Sequence, residues 1–406
     1  MKGTMKCTVH AGWENDRPIG ILTIEKSRGK DMVSFDFSET WLSDHGNLLL
    51  DPFLQPWPGR QFAEHGLWGC FSDAAPDRWG RMLMKRRELE LAERENRISQ
   101  NLTDSDYLLG VEDTLRTGGL RLSENGRFLA ESPMAVPPMA RLRALEDTSR
   151  SFETGGDILK LTDLETLVST GSSLGGACPK VNVADEKGNL WIAKFTSLHD
   201  DFHTECWEMV LHDLAASCGI EVPEARLEQL GKNEVFLVRR FDREGETRIH
   251  FASAMTMTGK KDGEPASFLD IAEWISSHGC QPEKDLQELW KRMVFSIIIN
   301  NTDCHLRNHG FLLGNKGWHL SPAYDMNPSP FQKEMALAIT ENDPTPSLAH
   351  AIEMAPYFGM REGKETARTI VDRVLNHYRN LADKYKIPNH ETRIFGRIFE
   401  RNSLIR

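Results

Sequence analysis

Between Leu286 and Met326 the order of apolar and polar residues fixes much of what can be built around it. Leu286, Leu289, Trp290, Met293, Val294 and Ile297 recur at i, i+3 and i+4 spacing, so this stretch predicts a helix with a buried stripe. The helix ends at Asn300-Asn301, directly before Thr302-Asp303-Cys304-His305-Leu306-Arg307-Asn308. Gly310-Phe311-Leu312-Leu313, Gly314-Asn315-Lys316-Gly317 and Trp318-His319-Leu320 then read as strand, tight turn, strand. Such a hairpin carries Tyr324-Asp325-Met326 back towards Asp303. The outcome is an Asp, an Asn five positions on, and a second Asp beyond a hairpin.

That order matches the needs of phosphoryl transfer, which depends on positioning and charge neutralisation more than on covalent chemistry. A carboxylate beside an incoming hydroxyl orients it and takes its proton, a role that suits Asp303. The side-chain oxygens of Asn308 and Asp325 suit Mg²⁺, which prefers hard oxygen ligands. Protein kinases present these groups in this order. The competing structural account is that Asn300, Asn301, Thr302 and Asp303 cap a helix end and build a turn. Asp325 would then be an acid in a loop rich in proline (Pro322, Pro328, Pro330). The spacing relative to Asp303 favours the functional account. His305 and His309 are four apart, a spacing that brings two imidazoles to one helix face for Zn²⁺. No Glu follows the first His, however, and Asn308 and Gly310 interrupt any helix, so His305 is better placed to contact phosphate or brace the loop.

Such a reaction needs a phosphate-binding half upstream. Gly171-Ser172-Ser173-Leu174-Gly175-Gly176-Ala177-Cys178-Pro179-Lys180 is a small-residue loop entering a β-like run. Gly175 and Gly176 would let backbone N–H groups approach phosphate oxygens closely. The Walker A order is absent, and a Gly/Ser loop by itself is most often only a turn. Lys194, in Trp191-Ile192-Ala193-Lys194-Phe195, sits in an otherwise apolar strand, which is costly without an anionic partner. An ATP phosphate fits that need. Glu205 on the following helix is either its partner or a solvated helix-start glutamate. Farther on, Phe236-Leu237-Val238-Arg239 leads into Arg240-Phe241-Asp242-Arg243, a turn able to offer backbone hydrogen bonds to adenine. Asp242 could accept from a ribose hydroxyl; the plainer alternative is a strand end with a surface salt-bridge cluster.

A net charge of −11 argues against a free-standing nucleic-acid binder. Seven cysteines, odd in number and never in Cys-x-x-Cys pairs, are no disulfide framework or zinc ribbon and suit a reducing cytoplasm. The N-terminus has no apolar run of signal-peptide length, and Met293–Ile299 is too short to span a bilayer, so no membrane partner is expected. The segments Ile21–Ile24 and Val33–Phe37 read as strands, Asp73 to Glu95 as a capped helix with a first-turn Pro, and Leu120 and Leu122 as a return to strand. Pro133, Pro137 and Pro138 mark a boundary near residues 130–150. From about Leu164 to Phe251 the pattern is strand-rich, with one amphipathic helix from Phe202 to Cys218. After Ser267 it is helical, closing with a helix from Arg361 to Lys384. The expected fold is α+β and bilobal, like a protein kinase. An α/β accessory subdomain (1–135) precedes a β-rich lobe (150–255) and a helical lobe (256–406).

Taken together, FSDAAPDRWGRMLMKRR, YLLGVEDTLRTGGLRL, SSLGGACPK, WIAKF, VRRFDR, NNTDCHLRNHGFLL and LSPAYDM resemble, in order and over almost the whole chain, the HipA family. These are serine/threonine kinase toxins of bacterial toxin–antitoxin pairs. The resemblance implies an ATP- and Mg²⁺-dependent protein kinase with Asp303 as catalytic base and Asn308 and Asp325 as metal ligands. It implies that Lys194 contacts ATP phosphate, that Gly175, Gly176 and Lys180 belong to the phosphate loop, and that Arg239, Phe241 and Asp242 border the nucleotide, with His305 nearby. Family members can phosphorylate a serine of their own glycine loop; Ser173 sits at the matching position and Ser172 is second choice. The implied partners are a small helix-turn-helix antitoxin of HipB type, through which alone DNA would be contacted, and a translation-related substrate, with aminoacyl-tRNA synthetases among the family's known targets. A pseudokinase co-repressor, or a kinase of small molecules or lipids, would be the alternatives.

Overall fold

The computed structural model describes residues 3–27, 30–64, 66–131, 136–154, 161–171 and 178–404. They form two compact units, Met1–Leu198 with Arg239–Ala252, and His199–Val238 with Ser253–Arg406.

The first unit is built on a six-stranded antiparallel sheet. Its strands are β1 (Gly3–Ala11), β2 (Arg17–Ser27), β3 (Lys30–Phe37), β4 (Arg60–Phe62), β5 (Leu120–Glu124) and β6 (Arg127–Phe128), in the order β4-β3-β2-β1-β5-β6. Period-2 alternation sends one face inward: Cys7 pairs with Leu22 and Leu22 with Phe35, a ladder of fully buried residues across three strands. Each large member of that ladder contributes about 1.5–3 kcal/mol by leaving water. Trp41, Phe71 and Leu108 close over it. β1 escapes a propensity reading because its inward residues (Cys7, Val9, Ala11) are small and its outward ones polar.

The helix Arg78–Arg94 follows. Its N-cap is Asp77, whose carboxylate accepts from the Arg78 N–H at 2.8 Å, so Pro76 precedes the cap instead of occupying the first turn. Two helices, Leu142–Glu153 and Leu161–Gly171, stand where linker and strand were expected. The Thr and Val residues of LTDLETLVST pull local propensity towards strand. Packing of Leu164, Leu167 and Val168, at helical spacing, against the 78–94 helix overrides it. β7 (Lys180–Ala184) and β8 (Leu190–Phe195) then form an antiparallel pair.

Three arginines from residues 240–248 clamp the loop at 113–118. Arg240 donates to the carbonyls of Leu115 (2.8 Å) and Arg116 (3.3 Å), Arg243 to those of Thr114, Arg116 and Gly118, and Arg248 to that of Asp113 (2.7 Å). Asp242 pairs with two of the three: its oxygens take Arg240 Nε (2.9 Å), Arg240 Nη2 (2.7 Å), Arg243 Nη1 (2.8 Å) and the Gly118 N–H (2.8 Å), while Arg248 pairs with Asp113 (3.0 Å). Gly118 has φ +73, and a Cβ there would meet the Phe251 nitrogen at 3.0 Å, so glycine suits this close approach.

In the second unit, helices Phe268–His278, Gly363–Lys384 and Asn389–Asn402 pack on the helix Pro282–Ile299, whose Leu289, Trp290, Met293, Val294, Phe295, Ile297, Ile298 and Ile299 are fully buried, and the helix Thr204–Ser217 packs on Gly363–Lys384. Strands Ala225–Leu230 and Asn233–Arg239 form one hairpin, and Gly310–Gly314 with Gly317–Leu320 the other. Among the described residues no helix is long and apolar enough to cross a membrane.

Removing Asp242 leaves two buried guanidinium groups uncompensated. Asp242→Ala should therefore lower unfolding free energy by about 3–5 kcal/mol in urea titration, whereas a neighbouring surface change such as Glu244→Ala should be near neutral.

Candidate active site

The helix Pro282–Ile299 delivers the candidate catalytic segment. It ends on Asn300 in the left-handed conformation (φ 56°, ψ 44°), fully buried. Its backbone N–H donates to Ile297 O (3.2 Å), its carbonyl accepts from Ser329 N (3.0 Å), and its side-chain N–H groups donate to the carbonyls of Ser329 and Gln332. Asn402 Nδ2 donates to both Asn300 Oδ1 and Ile297 O at 3.0 Å. Thr302 is likewise structural: its hydroxyl donates to Gln332 Oε1 (2.7 Å) and its carbonyl accepts from Ala336 N (2.8 Å). The chain emerges at Asp303, the first exposed residue after the helix.

Three polar residues of that helix fix the returning hairpin. Asp285 accepts from Leu320 N (2.9 Å), Arg292 donates to Ser321 O (2.8 Å), and Glu288 accepts from Arg292 Nε (3.0 Å) and from Glu221 N (2.9 Å). They hold the strand exit that leads to Asp325. Asp325 itself has φ 57°, an unusual conformation for a residue with a side chain. The segment 305–308 is a closed loop: Asn308 Oδ1 accepts from His305 N (3.0 Å), and Asn308 N donates to His305 O (2.9 Å). Asn308 Nδ2 donates to Asp325 Oδ2 at 2.9 Å, which joins the two candidate metal ligands. The Tyr324 hydroxyl donates to Arg307 O (2.6 Å), and Asn327 Nδ2 lies 3.4 Å from Asp325 Oδ1.

Electrostatics separates Asp303 from an ordinary surface acid. Although it meets solvent, the surrounding protein raises its pKa; His305 opposes the shift and the charge of Asp325 adds to it. Behind the loop, burial pushes the Cys304 thiol up to about 12 and the His309 imidazole down to about 3. Both are therefore neutral, and they face each other at 3.2 Å. His309 is thus committed to the interior, edge-on to Phe268, with its carbonyl accepting from Ala254 N at 2.8 Å. Among the described residues no group of three or more His, Cys, Asp and Glu could hold a metal. The Asp325 carboxylate with the Asn308 and Asn327 amides offers hard oxygen donors of the type that suits Mg²⁺.

The phosphate-side candidates lie in the other unit, apart from Glu205, which belongs to this one. Lys180 and Lys194 are direct cross-strand partners on β7 and β8, so both side chains stand on one face. Lys180 is buried and Lys194 half-buried. Glu205, at the start of the Thr204–Ser217 helix, is buried and not a solvated helix-start residue. Arg239 Nη2 donates to Asn189 Oδ1 (3.0 Å), and the Phe241 ring is tilted against Phe251 at 6.1 Å. Asp242 lies in the arginine cluster described above, buried rather than on the surface. Burial alone would raise its pKa; Arg240, Arg243 and the Gly118 N–H hold it well below the usual carboxylate range. Gly175, Gly176, Ser172 and Ser173 lie outside the described residues. Sequence reasoning passed over Asp285, Glu288 and Arg292; their signal was charge at i, i+3 and i+7, a spacing that puts all three on one face of the helix.

Comparison with known proteins defines this α+β fold further. Residues 172–382, just over half of the chain, match the HipA-like C-terminal domain, and the chain belongs to that family. The fold is that of HipA from the Shewanella oneidensis MR-1 toxin–antitoxin system, solved with HipB and operator DNA. The two share 16% identity and a TM-score of 0.65, over 98% of this chain and 96% of that one. Toxin YjjJ of Escherichia coli is 25% identical over 251 residues, 56% of this chain and 54% of YjjJ. The candidate kinase Y4dM of Sinorhizobium fredii is 27% identical over 172 residues, 35% of this chain and 38% of Y4dM. The chain spans between about a third and about half of the length of the curated relatives it matches.

Two stability predictions follow from the helix end. Asn300→Ala forces alanine into the left-handed region and strips buried carbonyls of donors, so it should cost about 2–3 kcal/mol in urea unfolding; Asn300→Gly should cost less. Asp303→Asn should melt no lower than wild type at neutral pH. Because the folded pKa of Asp303 is raised, its contribution to stability declines as pH rises from the ordinary 3.8 through the folded value, and the amide lacks that decline.

Proposed function

We propose that the chain is an ATP- and Mg²⁺-dependent protein serine/threonine kinase, the toxin half of a toxin–antitoxin pair. The observation that carries this reading is the joining of Asn308 to Asp325 at 2.9 Å beside a solvent-facing Asp303 of raised pKa. A metal pair of oxygen-bearing side chains and a poised carboxylate are what phosphoryl transfer from ATP requires. Asp303 orients the acceptor hydroxyl and takes its proton as the hydroxyl oxygen attacks the γ-phosphorus and ADP leaves. Asn308 and Asp325 hold the metal, which when bound neutralises charge on the transferring phosphates. Lys180 and Lys194, with the Gly175-Gly176 loop, take the phosphates, and His305 braces the catalytic loop. Residues Arg239–Asp242 border the nucleoside, with Asp242 fixing the turn through its arginines and Phe241 lying beside the base.

Family membership supports the wider reading. A HipB-like helix-turn-helix antitoxin is the proposed partner, because the fold is that of a HipA solved with HipB and operator DNA. The proposed substrate is a translation-related protein, an aminoacyl-tRNA synthetase among the candidates, and the proposed autophosphorylation site is Ser173, then Ser172. The accessory, β-rich and helical divisions at 1–135, 150–255 and 256–406 are kept as the functional parts. A cytoplasmic location agrees with seven cysteines, five of them buried.

Intact-mass analysis after incubation with Mg²⁺ and ATP tests the reading. Wild type should gain phosphate, Asp303→Ala and Asp325→Ala none, and Ser173→Ala should lose the main site. Phosphate uptake that persists in Asp303→Ala would remove the base assignment. The rate of transfer should fall about tenfold per pH unit on the acid side as Asp303 is protonated, with an apparent pKa above the 3.8 of an ordinary aspartate.

A further inference from the structure

We propose that Asn327 is a third oxygen ligand of the divalent-cation site, completing a set in which two amides flank the Asp325 carboxylate. The inference rests on the assignment of that cation to Asp325. Both amides now point their N–H groups at the carboxylate, Asn308 at 2.9 Å to Oδ2 and Asn327 at 3.4 Å to Oδ1. Their oxygens differ. Asn308 Oδ1 is engaged by the His305 N–H at 3.0 Å, whereas Asn327 Oδ1 is buried and meets no donor. A buried amide oxygen without a donor carries a desolvation penalty that a bound cation would remove.

The cost of presenting oxygen to a cation is therefore unequal. Turning the Asn327 amide over about its terminal bond gives up one long contact and brings an unsatisfied oxygen to the carboxylate. Turning Asn308 breaks its bond to the His305 backbone and opens the loop that Asp303 leads into. Asn308 can still accept a cation through its second lone pair without turning. Asn327 is the side chain for which cation binding gains most and costs least: its buried oxygen finds a charge partner, and its N–H gives up only the 3.4 Å contact. The backbone keeps Asn327 in place, because Asp325 turns through φ 57° and Asn327 lies only two residues on. Amide, carboxylate and amide are hard oxygen donors, a set that favours Mg²⁺ or Mn²⁺ over thiophilic ions.

Mn²⁺ titration of the full chain, followed by electron paramagnetic resonance of free Mn²⁺ in the presence of a non-hydrolysable ATP analogue, tests this without turnover. Asn327→Ala should weaken Mn²⁺ binding about tenfold or more, and Asn327→Asp should retain it. Asn327→Cys should shift the Cd²⁺-to-Mn²⁺ affinity ratio towards Cd²⁺ by about tenfold or more, a change that a merely structural residue would not produce. Melting curves without metal identify any variant that has lost its fold, and the Cd²⁺ ratio of Asn327→Cys is then read on folded protein alone. Wild-type Mn²⁺ affinity in folded Asn327→Ala, together with an unchanged ratio in Asn327→Cys, would overturn the proposal while leaving the site itself intact. Asp325→Ala separates the two levels. Loss of Mn²⁺ binding there upholds the cation site on which the proposal depends, and unchanged binding overturns the site and the proposal together.

Discussion

A helix of eighteen residues that is apolar over its last two turns cannot end in water, and it cannot end in the core without partners for its last carbonyls. The left-handed turn at Asn300 resolves that conflict. It reverses the chain inside the protein while its side chain and backbone bind Ser329, Gln332 and Asn402. Asparagine tolerates the positive φ better than most residues and brings a donor and an acceptor to the same point. Glycine would permit the turn but supply neither. Asn300 thereby ties the segment at 329–332 and the C-terminal helix to one helix end, and the position of Asp303 depends on all three.

The second left-handed residue, Asp325, imposes a cost of about 1–3 kcal/mol where it stands. What holds it is upstream, in Asp285, Glu288 and Arg292. Charged groups inside a core helix are expensive unless every one is paired. Here each is paired to the other or to backbone at the exit of the hairpin, so their electrostatic requirement becomes a positional constraint on Leu320 and Ser321. Four residues later the carboxylate meets Asn308. In the proposed metal-binding role, a carboxylate fixed in this way would spend less of the binding energy on being ordered.

The sequence made the apolar framework legible because periodicity is carried by many residues at once. The buried stripe from Leu289 to Ile297, the hairpin at 310–320 and the tail helix Gly363–Lys384 all stand where their spacing placed them. Single-residue events were not legible. Nothing in a periodic pattern distinguishes Asn300 as a left-handed cap from Asn301 beside it, or shows that Arg240, Arg243 and Arg248 close over the carbonyls at 113–118, more than a hundred residues earlier. Such contacts are selected by tertiary geometry. The helix Leu161–Gly171 lies between these cases, since its three-four spacing was present but its β-branched residues argued for strand.

The candidate catalytic segment shows why a choice between turn and chemistry was too coarse. Residues 300 to 309 divide the work position by position. Asn300 and Thr302 face inward and bind backbone or Gln332; Cys304 and His309 form a neutral buried pair that seats the loop; Asp303 faces solvent. Asn308 does both, closing the loop with its oxygen and reaching Asp325 with its nitrogen. The inward residues leave Asp303 no hydrogen-bonding duty in the turn, so its carboxylate is not needed for stability there. The raised pKa is the corollary: a carboxylate kept near Asp325 and partly shielded from water is less favourable ionised, and in the proposed role of proton acceptor Asp303 would gain basicity from the same placement. The turn residues make that placement possible by carrying the structural load themselves.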